Sequence, residues 1–272
     1  MSEPPVVLTI AGSDSGGGSG LQADLRTFAA HSVHGVCAVT AVSAQNTEEF
    51  RSVLAVPRKE LKSQIEAVLD DFDVKATKTG LLLSEENIQL VTQAAAEGAL
   101  PQLVVDPVIV DRHGDLLYPP DLIQVIRQEL ISRALVITPN HVEAMHLLGI
   151  EPTDDIDKIS EAALELAAMG PEVVLVTGGR RNTNSMIDVM AHRGEIIEIE
   201  SKRYKTKNVR GTGDTLSAAI VASLAGGQPL AQSIKNAHKF TADAVRRAAE
   251  WKLGSGQGPI DHLGHRGDVR LD

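Results

Sequence analysis

The chain has 272 residues and only one cysteine, Cys37. That excludes an intramolecular disulfide and a cysteine-based zinc site. Cys37 falls in an apolar, strand-like run and reads as a small core residue. Aromatic residues make up only 3%, so the core must be built from Ala, Val, Leu and Ile. Positive charge is also in deficit: 26 Lys and Arg against 36 Asp and Glu leave a net charge of −10 and a pI near 5.4. A nucleic-acid face needs clustered Lys and Arg, so no nucleic-acid partner is expected. A small anion needs only a local site. No apolar stretch approaches the ~18 residues of a membrane span. The start, Met1-Ser2-Glu3-Pro4-Pro5, lacks the basic region of a secretion signal. The expectation is a cytoplasmic protein without membrane contact. Hydrophobic content of 43% and a mean hydropathy of −0.03 describe a globular chain, and its length suits one α/β domain over residues 1–272.

What is present is an alternation of short apolar runs and amphipathic stretches. Val6–Ala11, Gly35–Ala44, Val74–Thr79, Leu103–Val108, Ala134–Thr138 and Val173–Thr177 read as buried strands, because continuous apolar runs of this length suit a covered parallel sheet. Helices are expected at about 21–31, around Leu61–Leu69, and at about 85–97, 120–130, 156–169 and 230–251, with another after Gly211. Met186–Ala191 and Ile196–Glu200 read as an antiparallel pair turning at Arg193-Gly194. Such alternation predicts a mainly parallel sheet with helices on both faces.

Polar groups gather where the strands end. The first strand runs into Gly12-Ser13-Asp14-Ser15-Gly16-Gly17-Gly18-Ser19-Gly20, which is neither a Walker A loop nor a clean dinucleotide fingerprint. Asp24 follows, on the same face as Leu21 and Phe28. It reads either as first-turn dipole compensation or as a ligand acceptor at the strand-to-helix crevice. Gln45 closes the second strand, as a loop cap or as an amide that pairs with a heterocycle. Asp106 ends another strand. Asn140 and Glu143 have capping-box spacing. Alternatively, together with Asp106, they organise a hydrated Mg²⁺, which prefers few carboxylates and several waters. Arg210-Gly211-Thr212-Gly213-Asp214-Thr215 precedes an apolar helix. It is either a capped turn or an anion cradle with a carboxylate at its mouth. Taken together, these groups make chemical sense as phosphoryl transfer from ATP to a hydroxyl, which needs charge neutralisation and alignment more than covalent chemistry.

Gly211–Thr215 resembles the signature of the ribokinase-like superfamily. Within it, Ala11–Asp24, Thr40–Thr47, Lys78–Leu82, Val105–Val108, Thr138–Ala144 and Gly256–His262 resemble hydroxymethylpyrimidine/phosphomethylpyrimidine kinases of thiamine biosynthesis. The resemblance implies a single ribokinase-like domain, ATP and Mg²⁺ as cofactors, and a homodimer. It implies a pyrimidine among Gly12, Asp24, Gln45, Leu81 and Val108, with Gln45 on the aminopyrimidine edge and Asp24 on the amino or hydroxymethyl group. It makes Asp214 the base and the Gly211, Thr212 and Gly213 stretch the anion hole. Asn140, Thr177, Gly179, Val209, Gly211 and Gly213 fall to ATP, and Asp106 and Glu143 to the metal. The chain also departs from the pattern: many family members carry cysteine at Asp214, histidine at Arg210, methionine at Leu81, and Lys-Gly-Gly-His at Thr177-Gly178-Gly179-Arg180. A pyridoxal or pyridoxine kinase is the alternative within the superfamily. A nucleotide-binding regulator without catalysis is the alternative outside enzymes, and it would need neither Asp214 nor Glu143.

Overall fold

The strands of the computed structural model, which describes residues 3–111, 114–179 and 185–265, run β1 (Val6–Asp14), β2 (His34–Gln45), β3 (Phe50–Ala55), β4 (Val74–Thr79), β5 (Val104–Val105), β6 (Val136–Ile137), β7 (Val173–Gly179), β8 (Ser185–His192) and β9 (Glu195–Lys202). Among the described residues they form one sheet in the order β3-β2-β1-β4-β5-β6-β7-β8-β9. The six central strands, β2 to β7 in that order, are parallel. β3 is added antiparallel at one edge and β8–β9 at the other. The helices are α1 (Gly20–Ala30), α2 (Arg58–Asp71), α3 (Glu85–Ala96), α4 (Pro120–Val125), α5 (His141–Leu148), α6 (Ile156–Ala167), α7 (Thr212–Ala225) and α8 (Leu230–Ala248).

The period of two along each strand divides the core into two layers. Val7, Ala76, Val104, Val136 and Val173 pack against Phe28 of α1 and the α7 residues Leu216, Ala219 and Ile220. Their neighbours Leu8, Val105, Ile137 and Val174 pack on the opposite face with Leu61, Ile88, Met145 and Ile159. Burying a side chain such as Phe28 completely contributes about 1.5–3 kcal/mol. From Thr215 to Leu224 every residue of α7 is buried, as expected of a helix that is apolar all round. The same period places Lys78, two residues after Ala76, and Asp106, two after Val104, on the face that α1 and α7 cover.

Several expectations need correction. β3 was not anticipated: its Leu54 is 73% exposed, so no apolar run announces it. Towards its carboxyl end β2 is accordingly less covered than the other parallel strands, with Val42 open to solvent and, nearer its start, Cys37 half-buried rather than in the core. β5 and β6 shrink to two residues each because Pro107 and Pro139 stop the ladder. The helix expected over 120–130 continues beyond Val125 as a π turn, Ile126–Leu130. α8 ends at Ala248, where the Asn208 amide donates to the carbonyls of Ala248 (2.7 Å) and Trp251 (2.9 Å). The β8–β9 hairpin turns at Arg193 and Gly194, both at positive φ (53° and 80°), the signature of a type I′ turn. No described helix is long and apolar enough to cross a membrane.

Candidate active site

A buried lysine sits at the centre of the strand-end groups. Lys78 Nζ donates to Asp24 Oδ1 at 2.8 Å and Oδ2 at 3.0 Å, and to Asp214 Oδ1 at 3.4 Å. Asp106 Oδ2 lies 4.0 Å away. Thr9 Oγ1 donates to Asp24 Oδ2 at 2.6 Å, and Ser217 Oγ donates to Asp106 Oδ2 at 3.1 Å. Burial opposes the charge of Lys78, but Asp24, Asp214 and Asp106 outweigh it and hold the amine above the ordinary lysine value. Burial pushes the Asp24 carboxyl up to about 6 against the pull of Lys78, with Asp214 adding to the rise. Burial likewise raises Asp106 well above the usual carboxylate range.

Asp24 therefore matches neither reading offered for it. It is not in the first turn of α1, so it does not compensate the helix dipole. It has no accessible surface, and its oxygens face Lys78 and Thr9, so it is not presented to a ligand. The reason is a partner 54 residues away in sequence, which Asp24 meets only because α1 packs on β1 and β4 pairs beside β1.

Asp214 lies in the first turn of α7, whose N-cap is Gly211 and which has no side-chain cap. Its side chain is 18% exposed. Gly211 has φ 80°, and a Cβ there would overlap the Gly18 carbonyl oxygen, so only glycine fits. Thr212 turns its hydroxyl (2.6 Å) and its N–H (3.3 Å) back onto the Val209 carbonyl. That leaves Gly213, exposed and close to Asp106, at the helix start where backbone donors and the dipole favour an anion. Thr215 Oγ1 donates to the Gly211 carbonyl at 2.7 Å and meets His262 Nε2 at 2.8 Å. Burial, then Arg26, pull His262 down to about 4.

Among the residues expected at the nucleotide, Asn140 and Glu143 form the full capping box: Glu143 N–H donates to Asn140 Oδ1, and Asn140 N–H to Glu143 Oε2, both at 2.9 Å. Glu143 Oε1 also accepts from Ile109 N–H at 3.1 Å. Burial raises Glu143 to about 7 against the pull of the Asn140, Ile109 and Val110 amides. Both Glu143 oxygens accept an amide N–H, and each keeps a further lone pair that a water of a hydrated cation can use. Among the described residues no three His, Cys, Asp or Glu converge on one ion position. A hydrated cation on Asp106 fits this donor set, and a cage of protein ligands does not. Asn140 and Thr177 are bridged as strand neighbours, and Val209 is an exposed apolar residue beside Gly211. Gly179 is buried, and a Cβ there would come within 2.6 Å of Ile156 Cδ1. Core packing therefore accounts for this glycine without any ligand contact. Arg180 lies outside the described residues.

Of the residues expected around the acceptor, Gly12 and Leu81 come together, with a Gly12 Cβ position 3.5 Å from Leu81 Cδ2. Gln45 is half-buried at the end of β2, its N–H donating to Ser15 Oγ at 2.9 Å. Val108 has φ 42°, which is strained for a β-branched residue. The turn it makes delivers the following amide, Ile109 N–H, to Glu143. The sequence reading named neither Lys78 nor His262 as a working residue. The signal for Lys78 was available: a charged residue inside a strand that reads as buried.

A family profile described as phosphomethylpyrimidine kinase matches residues 14–261. The hydroxymethylpyrimidine/phosphomethylpyrimidine kinase of Rhizobium meliloti is 38% identical over 261 residues, covering 96% of this chain and 97% of that protein. The chloroplastic thiamine biosynthetic bifunctional enzyme of Arabidopsis thaliana is 39% identical over 95% of this chain, which spans 50% of that enzyme's length. Among solved structures, the pyridoxal kinase of Bacillus subtilis in its ADP complex superimposes with a TM-score of 0.89 at 34% identity, covering 97% of this chain and 98% of that one. The ribokinase-like α/β fold expected from the sequence is the fold observed.

Proposed function

The chain belongs to the phosphomethylpyrimidine kinase family, and from that premise we propose that it transfers the γ-phosphoryl group of ATP to hydroxymethylpyrimidine and then to its monophosphate, in thiamine biosynthesis. One observation carries the reading. The carboxylate of Asp214, 3.4 Å from Lys78 Nζ, and the exposed Gly213 stand together at the start of a helix without a side-chain cap, at the carboxyl ends of the parallel strands. That is where open α/β sheets bind ligands.

In this mechanism the acceptor hydroxyl gives its proton to Asp214 as its oxygen attacks the γ-phosphorus of ATP, and the bond from that phosphorus to the β-phosphate oxygen breaks to release ADP. Lys78 holds the Asp214 carboxylate in place and offsets negative charge at the site. Asp24, fully buried, anchors Lys78. The cradle amides at Gly213 meet the charge on the transferred group. Gln45, Gly12, Leu81 and Val108 line the pyrimidine, and Asn140, Thr177 and Val209 line the nucleotide. Asp106, with Glu143 acting through water, would hold hydrated Mg²⁺, whose chemistry is to neutralise phosphate charge. A cytoplasmic homodimer acting as one kinase domain completes the proposal.

Pyridoxal is the second acceptor to consider, because the superposition on the Bacillus subtilis pyridoxal kinase spans nearly the whole chain. A coupled ATP-consumption assay with hydroxymethylpyrimidine, its monophosphate, pyridoxal and pyridoxamine separates the readings. Turnover with the two pyrimidines is expected. Faster turnover with pyridoxal would reverse the assignment.

A further inference from the structure

An ion pair between Arg210 and Asp14 joins the two glycine loops of the crevice. Asp14 is 2% exposed. Its carboxylate accepts from the N–H groups of Gly16 (2.7 Å), Gly18 (3.1 Å) and Ser19 (3.0 Å), and from the Ser19 hydroxyl (2.8 Å). These bonds shape the loop after β1. The same Oδ2 accepts from Arg210 Nε at 3.1 Å, and Arg210 immediately precedes Gly211. The stem of Arg210 lies flat on Gly18, where a Cβ would come within 2.6 Å of Arg210 Cδ. At its other end the loop is tied to the acceptor side: Ser15 Oγ donates to the Gln45 carbonyl at 2.7 Å and accepts from Gln45 N–H. The loop thus reaches from the end of β2 to the start of α7, and Arg210 is its clasp.

We propose that Asp14 and Arg210 are a positioning pair that holds the acceptor-side loop in register with the phosphoryl cradle, touching neither substrate. The inference rests on the kinase reading above. Burial raises the Asp14 carboxyl, but its bonds from Ser19, Arg210 and Gly16 bring it below the ordinary value, so it carries its charge at neutral pH. A charge-assisted bond from a planar guanidinium fixes direction as well as distance. Alignment errors of about 1 Å cost roughly 10²-fold in rate.

The test uses the full chain with Arg210→Gln, which removes the charge, and Arg210→Lys, which keeps it. Two readouts are taken: steady-state kinetics, and hydrogen exchange at the Gly16, Gly18 and Ser19 amides. Arg210→Gln should lower kcat by roughly 10- to 100-fold. KM for ATP and for the acceptor should each stay within about threefold, the pattern of an interaction felt only in the transition state. The three loop amides should exchange faster, although Arg210 bonds none of them. Arg210→Lys should restore part of both. A rise in KM for ATP at unchanged kcat would make Arg210 a nucleotide contact and overturn the proposal, as would unchanged kcat and exchange in a folded variant. If the unaltered enzyme turned over none of the four acceptors, the kinase reading would fall by itself. The exchange readout would then still decide whether the pair sets the loop.

Discussion

Lys78→Met removes the charge at the centre of the site while keeping most of the stem's volume. Asp24 would then be a carboxylate with no accessible surface and Thr9 as its remaining partner. Stripping one member from a buried ion pair costs about 3–5 kcal/mol. Protonation limits the loss. Asp24 starts from an ordinary value of 3.8, and holding it neutral at pH 7 costs about 1.36 kcal/mol per pH unit over about three units, or about 4 kcal/mol. The sign follows from linkage. A carboxyl whose folded pKa is raised keeps its proton in the folded state while the unfolded chain has lost it. The stability tied to that proton is therefore complete below 3.8 and is lost as pH rises through the folded value. The unaltered protein already bears most of that cost, because its own Asp24 stands at about 6, so the pH-dependent part of the Lys78→Met deficit should be about 1 kcal/mol at pH 7 and fade below pH 6, where Asp24 is protonated in both proteins. Urea unfolding at four or five pH values measures it, with an unchanged m-value as the check on two-state behaviour. Asp24→Asn added to Lys78→Met should recover most of the loss, because the amide keeps an acceptor for Thr9 and carries no charge. A deficit independent of pH, or a double variant no more stable than the single one, would refute the reasoning.

Three further outcomes are expected. Asp214→Asn should leave ATP and acceptor binding nearly intact and lower turnover by roughly 10²–10⁴, the usual contribution of a general base; unchanged turnover would remove Asp214 from that role. Gln45→Ala should weaken the pyrimidine far more than ATP, measured as separate KM or calorimetric values, and equal losses would place Gln45 outside the acceptor pocket. His262 is buried and lowered from 6.5 to about 4, so the stability it contributes is present above 6.5 and lost as pH falls toward 4, by up to about 3 kcal/mol. Asp24 and Glu143, raised to about 6 and about 7, act in the opposite direction. Only the Tm difference between the unaltered protein and His262→Gln isolates His262. That difference should narrow from pH 7 to pH 5, and a constant difference would assign His262 a packing role alone.

Local chemistry was legible in the sequence wherever it depends on near neighbours. The apolar runs marked the six parallel strands because a strand covered on both faces is apolar throughout. Arg193-Gly194 marked the hairpin, and Asn140 with Glu143 spelled a capping box that is present in full. Gly211–Asp214 could be read as a helix start with a carboxylate in its first turn, since both follow from glycine and position. Boundaries were less accurate where proline cut β5 and β6 short. β3 escaped because an edge strand with exposed side chains carries no hydrophobic pattern.

Tertiary structure alone decided what each charged group faces. Asp24 reads as a ligand acceptor only until β4 brings Lys78 against it, and Lys78 reads as an anomaly until three carboxylates surround it. Arg210 departs from the family pattern by one residue, and its partner lies 196 positions earlier in the chain. Such pairings depend on strand order and helix packing, and no local period encodes either. Burial then sets their strength, because a charge out of water must find its counter-charge wherever the fold has placed one.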